Sequence, residues 1–554
     1  MGNNRASKTV PLHGHSILTK NCIIMKAKRL LLLLSATLLA TTIFAKGTQI
    51  GDLNYELYDS DLTAIVCYQT RTAANYETLT SINIPATVAY NSKTYKVTAI
   101  EELAFAGAPK LEAVYAANNI TVIGKQAFLD CKKLNHLYVG RKVTSIGLNA
   151  LRGCTQLHTV DWCAENYPDF SYKNSPFCHA EGDAWDFDIR EFVYDVTFGS
   201  YVKHIPANLC FGMKYLKAIV LPNSVTSIGA NAFYGCNNLT TTTVTLPNSV
   251  TEIETDVFAN TNLTAPVYNN RLFVYMPPTL ENTSYTVPDG IETIIGDAFY
   301  ACNNLQTVTL PNSVKTIGVT AFSNCSNLKT VELGNSLEVI EAYAFEECSK
   351  LQAITLPNTL KRILIGAFKY CSALKSINFP NSITECGSAI FVEAGLDAAV
   401  YNEHIYVYQP ANLLATTVTI PDGIEQIAGD AFLSCTEMRE VVIPASMDSI
   451  GVEAFFGCSG LTALTCKAVT PPTLHPYNVF YGAPTTATLY VPEGSVDAYK
   501  ATKWNYFTTI LPIQSTGMGQ LSTSKVVDGK LIHNGQLLIR RDGKIFNAAG
   551  IEVK

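Results

Sequence analysis

The stretch from Asp161 to Asp195 carries nine acidic and nine aromatic residues, with Lys173 and Arg190 its only lysine or arginine. Carboxylates among aromatic rings can bind sugars or cations, which makes Trp162 and Trp185 candidate contacts. Acidic pairs such as Asp183 with Asp186 or Asp188 could work as acid and base on a glycosidic bond, which is cleaved between two carboxyl groups. A packed subdomain with a solvated acidic rim would use the same residues without chemistry. The rest of the chain offers no nucleophile motif. It has no Gly-x-Ser-x-Gly elbow, no His-Glu-x-x-His and no phosphate-binding glycine loop, and its nine histidines share no ligand spacing. No catalytic residue, metal site or cofactor is assigned, and the chain is expected not to be an enzyme.

A larger framework must position these side chains. At 554 residues the chain exceeds one ordinary globular core, so several domains or a repeat array are expected. Hydrophobic residues make up 47% and charged ones 16%, a packed, strand-rich composition that excludes general disorder. A net charge of −6 without any long Lys/Arg run argues against a nucleic-acid partner. Met25-Lys-Ala-Lys-Arg29 is a basic start, Leu30 to Phe44 an apolar run too short for a comfortable span, and Ile43-Phe-Ala45 a small-residue cleavage site. Residues 25–45 are therefore expected to be a signal peptide and 1–24 an upstream extension before a true start at Met25. The mature chain, without a membrane span, is expected to be secreted or held at a cell surface.

Self-comparison supplies the framework. Aligned on one aromatic position, the chain gives the series Phe105, Phe128, Leu151, Cys210, Phe233, Phe258, Phe299, Phe322, Phe345, Phe368, Phe391, Phe432, Phe455, in which eight of twelve gaps are 23 residues. One unit runs from Leu310-Pro-Asn-Ser-Val314 through Ile317-Gly318 and Ala321-Phe322 to Cys325, Leu328, Val331 and Leu333. The last three alternate like a short strand with one buried face, and Pro-Asn-Ser turns the chain, with Asn and Ser bonding their own backbone. Ala-Phe fills the centre of the coil, which only stacked neighbours can close. Phe128, Phe233, Phe299, Phe322, Phe345, Phe368, Phe432 and Phe455 are the expected core. Nine of the sixteen cysteines (Cys131, Cys154, Cys236, Cys302, Cys325, Cys348, Cys371, Cys435, Cys458) follow the aromatic position by three residues, as a buried ladder would. No Cys-x-x-Cys pair exists, which removes the usual zinc spacings.

The phrase LPNSV-x-x-IG-x-x-AF-x-x-C-x-x-L resembles the BspA-type leucine-rich repeat of bacterial surface proteins, over residues 96–466. The resemblance implies a β-rich repeat solenoid, a leucine-rich-repeat array of about thirteen 23-residue turns. It also implies a non-catalytic secreted or cell-surface protein mediating adhesion or protein/glycan binding, with host matrix proteins among the partners. The recurring positions are the buried ones, so the ligand stays open. Residues 46–95 read as a β cap and 467–513 as a small α/β cap, in which Ser495 could cap a helix carrying Tyr499 towards Trp504 and Phe507. A linker at 514–524 then leads to a small β segment at 525–554, whose end from Gly543 resembles the tail of sorting domains read by an outer-membrane secretion system. A monomer is expected.

The interruptions are where specific activity is expected. The gap from Leu151 to Cys210 is one repeat plus 36 residues, and those from Phe258 to Phe299 and from Phe391 to Phe432 are one repeat plus 18. They place inserts within 161–195, 262–285 and 395–418. The two shorter ones are alike, Val267-Tyr-Asn-Asn-Arg-Leu-Phe-Val-Tyr275 against Val400-Tyr-Asn-Glu-His-Ile-Tyr-Val-Tyr408, and read as β-hairpins projecting from the coil. Insertions in repeat proteins often carry binding, so Tyr268, Tyr275, Tyr401 and Tyr408 join the candidates. Purely structural hairpins inherited from a larger duplication are the competing reading. The outward strand positions are mostly small and threonine-rich, without a convergent acid–base group, but Tyr115 and Tyr138 stand among them as amphipathic anchors. Cys163 and Cys178 both lie in the 36-residue excess and are the pair to test for a disulfide. The leading reading is a surface binding protein for an extracellular protein or glycan. The alternatives are a secreted glycoside-active enzyme using the acidic-aromatic insert and a structural spacer.

Overall fold

The computed structural model describes residues 47–69, 76–171, 175–177, 189–240, 244–411 and 416–514, and the backbone of the strands Gly529–His533, Gln536–Arg541 and Lys544–Asn547. The expected signal peptide, Trp185, Cys178, the carboxylates at 183, 186 and 188, and most of the linker lie outside the described residues. Among the described residues the chain is a β-solenoid of about 17 turns, with almost no helix. It divides into two compact units, Met1–Pro410 with Ile427–Leu433, and Ala411–Gln426 with Ser434–Lys554.

Each turn is built from three pieces. The Leu-x-x-Val-x-Leu stretch forms a short strand that pairs in parallel with its copy 23 residues on, as Thr307–Thr309 does with Thr330–Glu332. The residues before the Ile-Gly step form a second parallel column, Thr316–Ile317 on Val339–Ile340. The Ala-Phe arc closes the turn without being a strand. Its aromatic residue is flanked, two positions away on each side, by a residue in the left-handed region: Thr320 at φ 54° and Asn324 at φ 60° around Phe322, Tyr343 at φ 57° and Glu347 at φ 59° around Phe345. These reversals aim alternate amides at the next turn. The N–H groups of Thr320, Phe322 and Asn324 donate to the carbonyls of Ala342, Ala344 and Glu346 at 3.0, 2.8 and 2.9 Å. Left-handed backbone costs roughly 1–2 kcal/mol per non-glycine residue, and this ladder offsets it by satisfying amides that would otherwise be buried unpaired.

The eight core phenylalanines are all fully buried. Phe299, Phe322, Phe345, Phe368 and Phe391 stack nearly parallel at 4.6–5.6 Å. The Pro-Asn-Ser turn differs from the sequence reading, because its polar side chains bond neighbouring turns and not their own backbone. Ser382 Oγ donates back to Leu360 O at 2.8 Å, and Asn312 Oδ1 accepts the Asn335 amide of the following turn at 2.9 Å. Backbone turns in a solenoid lie against their neighbours, so the nearest unpaired partner belongs to another repeat.

The hairpins differ from the expected projections. Val267–Tyr268 and Leu272–Tyr275 do pair antiparallel, but Leu272–Phe273 also pairs in parallel with Thr293–Ile294. The segment is thus a short turn of the solenoid and not a projection. Met276 takes the aromatic position, its amide donating to Ala298 O at 2.6 Å, and Gln409 does the same toward Ala431 O at 2.7 Å. The arithmetic was present in the sequence: 258 + 18 = 276 and 276 + 23 = 299, and likewise 391 + 18 = 409 and 409 + 23 = 432.

In the first unit, an antiparallel meander (Thr48–Ile50, Leu53–Tyr58, Thr63–Cys67) precedes Lys93–Ile100, which starts the second column. Tyr76 stands 5.0 Å from Phe105 at the head of the aromatic stack. In the second unit, Thr417–Thr419, Glu440–Ile443, Ala463–Cys466, Thr488–Val491 and Thr509–Pro512 form one parallel sheet. Phe480 stacks on Phe455 at 5.4 Å, and its neighbour Val479 accepts the Phe455 amide, so a repeat turn continues into residues 467–513. The helix Val496–Lys500 follows. Ser495 does not cap it by its side chain, because its hydroxyl donates to Val469 O at 2.8 Å instead. Tyr499 and Trp504 are buried, bonding Ala468 O and Pro472 O. The three C-terminal strands form an antiparallel sheet.

Candidate functional site

One regular surface in the first unit is the five-stranded parallel sheet of Ser81–Ile84, Ala113–Ala116, His136–Val139, Thr159–Trp162 and Asp195–Phe198. Alternation buries Val114, Leu137, Val160 and Val196 and turns their neighbours outward. Three outward groups converge. His136 Nε2 is 2.9 Å from Asp161 Oδ2, and its Nδ1 is 3.2 Å from the Tyr115 hydroxyl, whose ring meets the imidazole edge-on at 5.2 Å. With Nε2 donating to the carboxylate, Nδ1 of the neutral ring accepts the tyrosine O–H. From the sequence no convergent acid–base group is expected on this face, where Asp161 reads as part of the insert. In the structure Asp161 is a strand residue paired with Tyr138, 23 positions earlier. Tyr138 is half-buried beside Cys163, and burial first, then the thiol, pushes its hydroxyl up to about 12. Tyr115 is 39% exposed.

The other candidates scatter. Trp162 is fully buried, packed edge-on against Tyr167 at 5.3 Å, and therefore leaves the set of contact residues. Tyr167, Phe170 and Phe177 are buried too, so these rings belong to the solenoid core, while Asp169, Glu191 and Asp195 stay exposed. Tyr268 and Tyr401 are 44% and 45% exposed and lie flat on Phe273 and Tyr406 at 5.9 and 5.5 Å. Tyr275 is buried, and Tyr408 is partly buried against Phe391. One further contact that the sequence reading missed joins His204 to Ser227 Oγ and Asp169 Oδ1, both at 2.8 Å. The same Asp169 oxygen accepts the Ala207 amide at 2.6 Å, which makes the group a clamp between turns.

Tyr275 lines a cavity of about 240 Å³ where the short turn interrupts the amide ladder. Tyr234, Glu254, Asp256, Phe258, Asp297 and Tyr300 are among its other wall residues. Burial first, then the neighbouring Asp297 charge, raises the Asp256 carboxyl above the ordinary range. Burial also raises Asp297, against a hydrogen bond from Thr320 that lowers it. The buried ladder cysteines offer no nucleophile. Cys325 Sγ donates to Phe299 O at 3.0 Å and Cys348 Sγ to Phe322 O at 3.1 Å, and burial pushes thiols such as Cys325 and Cys371 up to about 12. Among the described residues no group of three or more His, Cys, Asp or Glu is placed to hold a metal ion, and no helix is long and apolar enough to cross a membrane.

Comparison with protein families finds six copies of a BspA type leucine rich repeat region, matching residues 71–175, 203–275, 272–397 and 403–501. Among solved structures, a leucine rich cell surface protein of Faecalibacterium prausnitzii is 21% identical, covering 76% of this chain and 94% of its own, at a TM-score of 0.30. A leucine-rich repeat protein of Bacteroides ovatus is 21% identical, covering 84% of this chain and 100% of its own, at a TM-score of 0.29. A leucine rich repeat protein of T. pallidum is 28% identical, covering 34% and 82% at a TM-score of 0.26. Comparison with curated proteins gave no match.

Proposed function

The chain belongs to the BspA-type leucine-rich-repeat family, and from that premise we propose that it is a non-catalytic secreted or cell-surface protein that binds an extracellular protein or glycan. Its primary contact is the strand face bearing Tyr115, His136, Tyr138 and Asp161. The observation that carries this reading is the Tyr115–His136–Asp161 line, polar and aromatic groups held in fixed geometry on an open parallel sheet. Rigid aromatic groups with a polar handle lose little entropy on contact and dominate interface energetics. The partner class includes host matrix proteins, and a signal peptide at 25–45 would deliver the chain to them.

A glycan array combined with a matrix-protein capture assay on the secreted chain tests this. Capture of a defined partner, weakened at least tenfold by Tyr115→Ala and His136→Ala together, is the expected result. Failure to capture anything, or capture indifferent to both substitutions, would sink the assignment of this face.

A further inference from the structure

In the regular turns, the amides at the aromatic position and two residues to either side of it donate to the next turn. Asn231, Phe233 and Gly235 do so onto Thr255, Val257 and Ala259. At the next step the ladder stops. The amides of Asp256, Phe258 and Asn260 find no acceptor among the described residues, and neither Gly296 O nor Tyr300 O across the gap receives a donor. The short turn between them is the cause. Ile294 to Phe299 spans five residues, whereas the matching path from Phe273 to Met276 spans three, too few for a left-handed arc. The space left is the 240 Å³ cavity, with amide donors on one wall and carbonyls on the other. Phe258 is buried, and a buried N–H with no acceptor among the described residues is a place for a partner from outside the chain.

The remaining lining narrows what that partner is. The Asp256 and Asp297 carboxylates repel an anion that the amides alone would attract. The three amides disfavour a bare cation for the converse reason. A polyhydroxyl ligand answers both, because each hydroxyl accepts from an amide and donates to a carboxylate or carbonyl. Tyr275 gives the cavity an aromatic wall, and Tyr300, 47% exposed, stands at its rim. Aromatic faces beside carboxylates and amides suit the apolar face and the hydroxyl edge of a sugar ring. We propose that the cavity between the Phe258 and Phe299 turns is a carbohydrate subsite that seats one neutral sugar residue of a glycan. The inference rests on the binding reading and names a site distinct from the Tyr115 face.

The test titrates the full secreted chain with methyl glycosides of glucose, galactose, mannose and N-acetylglucosamine, and with N-acetylneuraminic acid, by saturation-transfer NMR. The variants are Asp256→Asn, Tyr300→Ala and the two combined, with Tyr115→Ala as a comparison. Asparagine tolerates the left-handed backbone at position 256, φ 59°, so loss of binding there is not loss of the turn. Saturation by at least one neutral glycoside is expected, weakened about tenfold by each single substitution, unchanged by Tyr115→Ala and absent for the acidic sugar. Binding that survives the double substitution overturns the subsite. So does a wild-type chain that binds no neutral glycoside, whose cavity would then hold water alone. Capture of a matrix protein or glycan that depends on Tyr115 but not on Asp256 or Tyr300 removes the subsite and leaves the general binding function standing. Loss of all capture by the wild type removes both.

Discussion

The two short turns, ending at Met276 and Gln409, are the same device made twice, 133 residues apart. In each, a buried asparagine at the hairpin tip ties four backbone groups together. Asn269 Nδ2 donates to Pro247 O and Val250 O, and its Oδ1 accepts the amides of Arg271 and Leu272. Asn402 repeats this with Pro380 O, Ile383 O, His404 and Ile405, each distance within 0.2 Å of its counterpart (3.2, 2.9, 2.9 and 2.8 Å against 3.1, 3.0, 2.9 and 2.8 Å). In each, a ring three residues before the central position fills the core, Phe273 onto Phe299 at 4.7 Å and Tyr406 onto Phe432 at 5.1 Å. In each, the preceding turn leaves its amides without acceptors among the described residues: Asp256, Phe258 and Asn260 in one, Ala389, Phe391 and Glu393 in the other. Around those gaps Phe258, Tyr275 and Asp297 recur as Phe391, Tyr408 and Asp430, whereas Asp256, Asn260 and Tyr300 give way to Ala389, Glu393 and Leu433. The hairpin is a way to shorten a turn, and any chemistry belongs to what surrounds the gap.

The strongest way to break this equivalence is to remove the filling ring. Phe273→Ala and Tyr406→Ala should each cost about 3–5 kcal/mol, as other buried aromatic truncations do, read from urea denaturation. A cost at only one site would mean that the two turns are not mechanically alike. Next come Asn269→Ala and Asn402→Ala, which strand two carbonyls and two amides each. A loss of about 2–4 kcal/mol is expected from unpaired buried groups, equal at the two sites to within about 0.5 kcal/mol. Losses below about 1 kcal/mol would show that the hairpin backbone holds without its asparagine.

The 23-residue period made the core legible because a solenoid repeats each buried environment at fixed spacing. Phe345 and Phe368 fall in the stack because they follow Phe322 at steps of 23 residues. Three things escaped the period. Met276 and Gln409 occupy an aromatic position without an aromatic side chain, since the ring comes from Phe273 or Tyr406 three residues earlier. Asp161 is a strand residue whose neighbours in sequence look like an acidic loop, and only the parallel pairing reveals its contact with His136. The cavity is hidden for a different reason, because it arises from two residues missing in an arc and not from any residue present.

The central pairs sharpen the comparison further. Tyr406 Oη donates to Gln409 Oε1 at 2.6 Å, whereas the first turn matches Phe273 with Met276. Polar is paired with polar and apolar with apolar. Gln409→Met should cost about 1–2 kcal/mol by removing the hydrogen bond that Gln409 Oε1 accepts from Tyr406, and adding Tyr406→Phe should recover about 1 kcal/mol of it. A double-mutant cycle with no coupling would mean that the two positions vary independently.

The smallest effect separates the gaps by charge. Asp256 lines the first, where Ala389 stands in the second. Burial and the Asp297 charge raise the folded-state pKa of Asp256 above its ordinary 3.8. A raised carboxyl favours the fold while protonated, so its contribution is fully present below the unfolded value and is lost as pH rises through the folded one. At neutral pH the ionised Asp256 is therefore a net cost, softened by solvent to roughly a few tenths of a kcal/mol. Asp256→Asn should raise the urea midpoint slightly at pH 7 and leave it unchanged near pH 3. Ala389→Asp in the second gap should lower it at pH 7 by a similar amount. An Asp256→Asn variant less stable at pH 7, or a difference that grows on acidification, would mean that this carboxylate is held by partners that favour its charge.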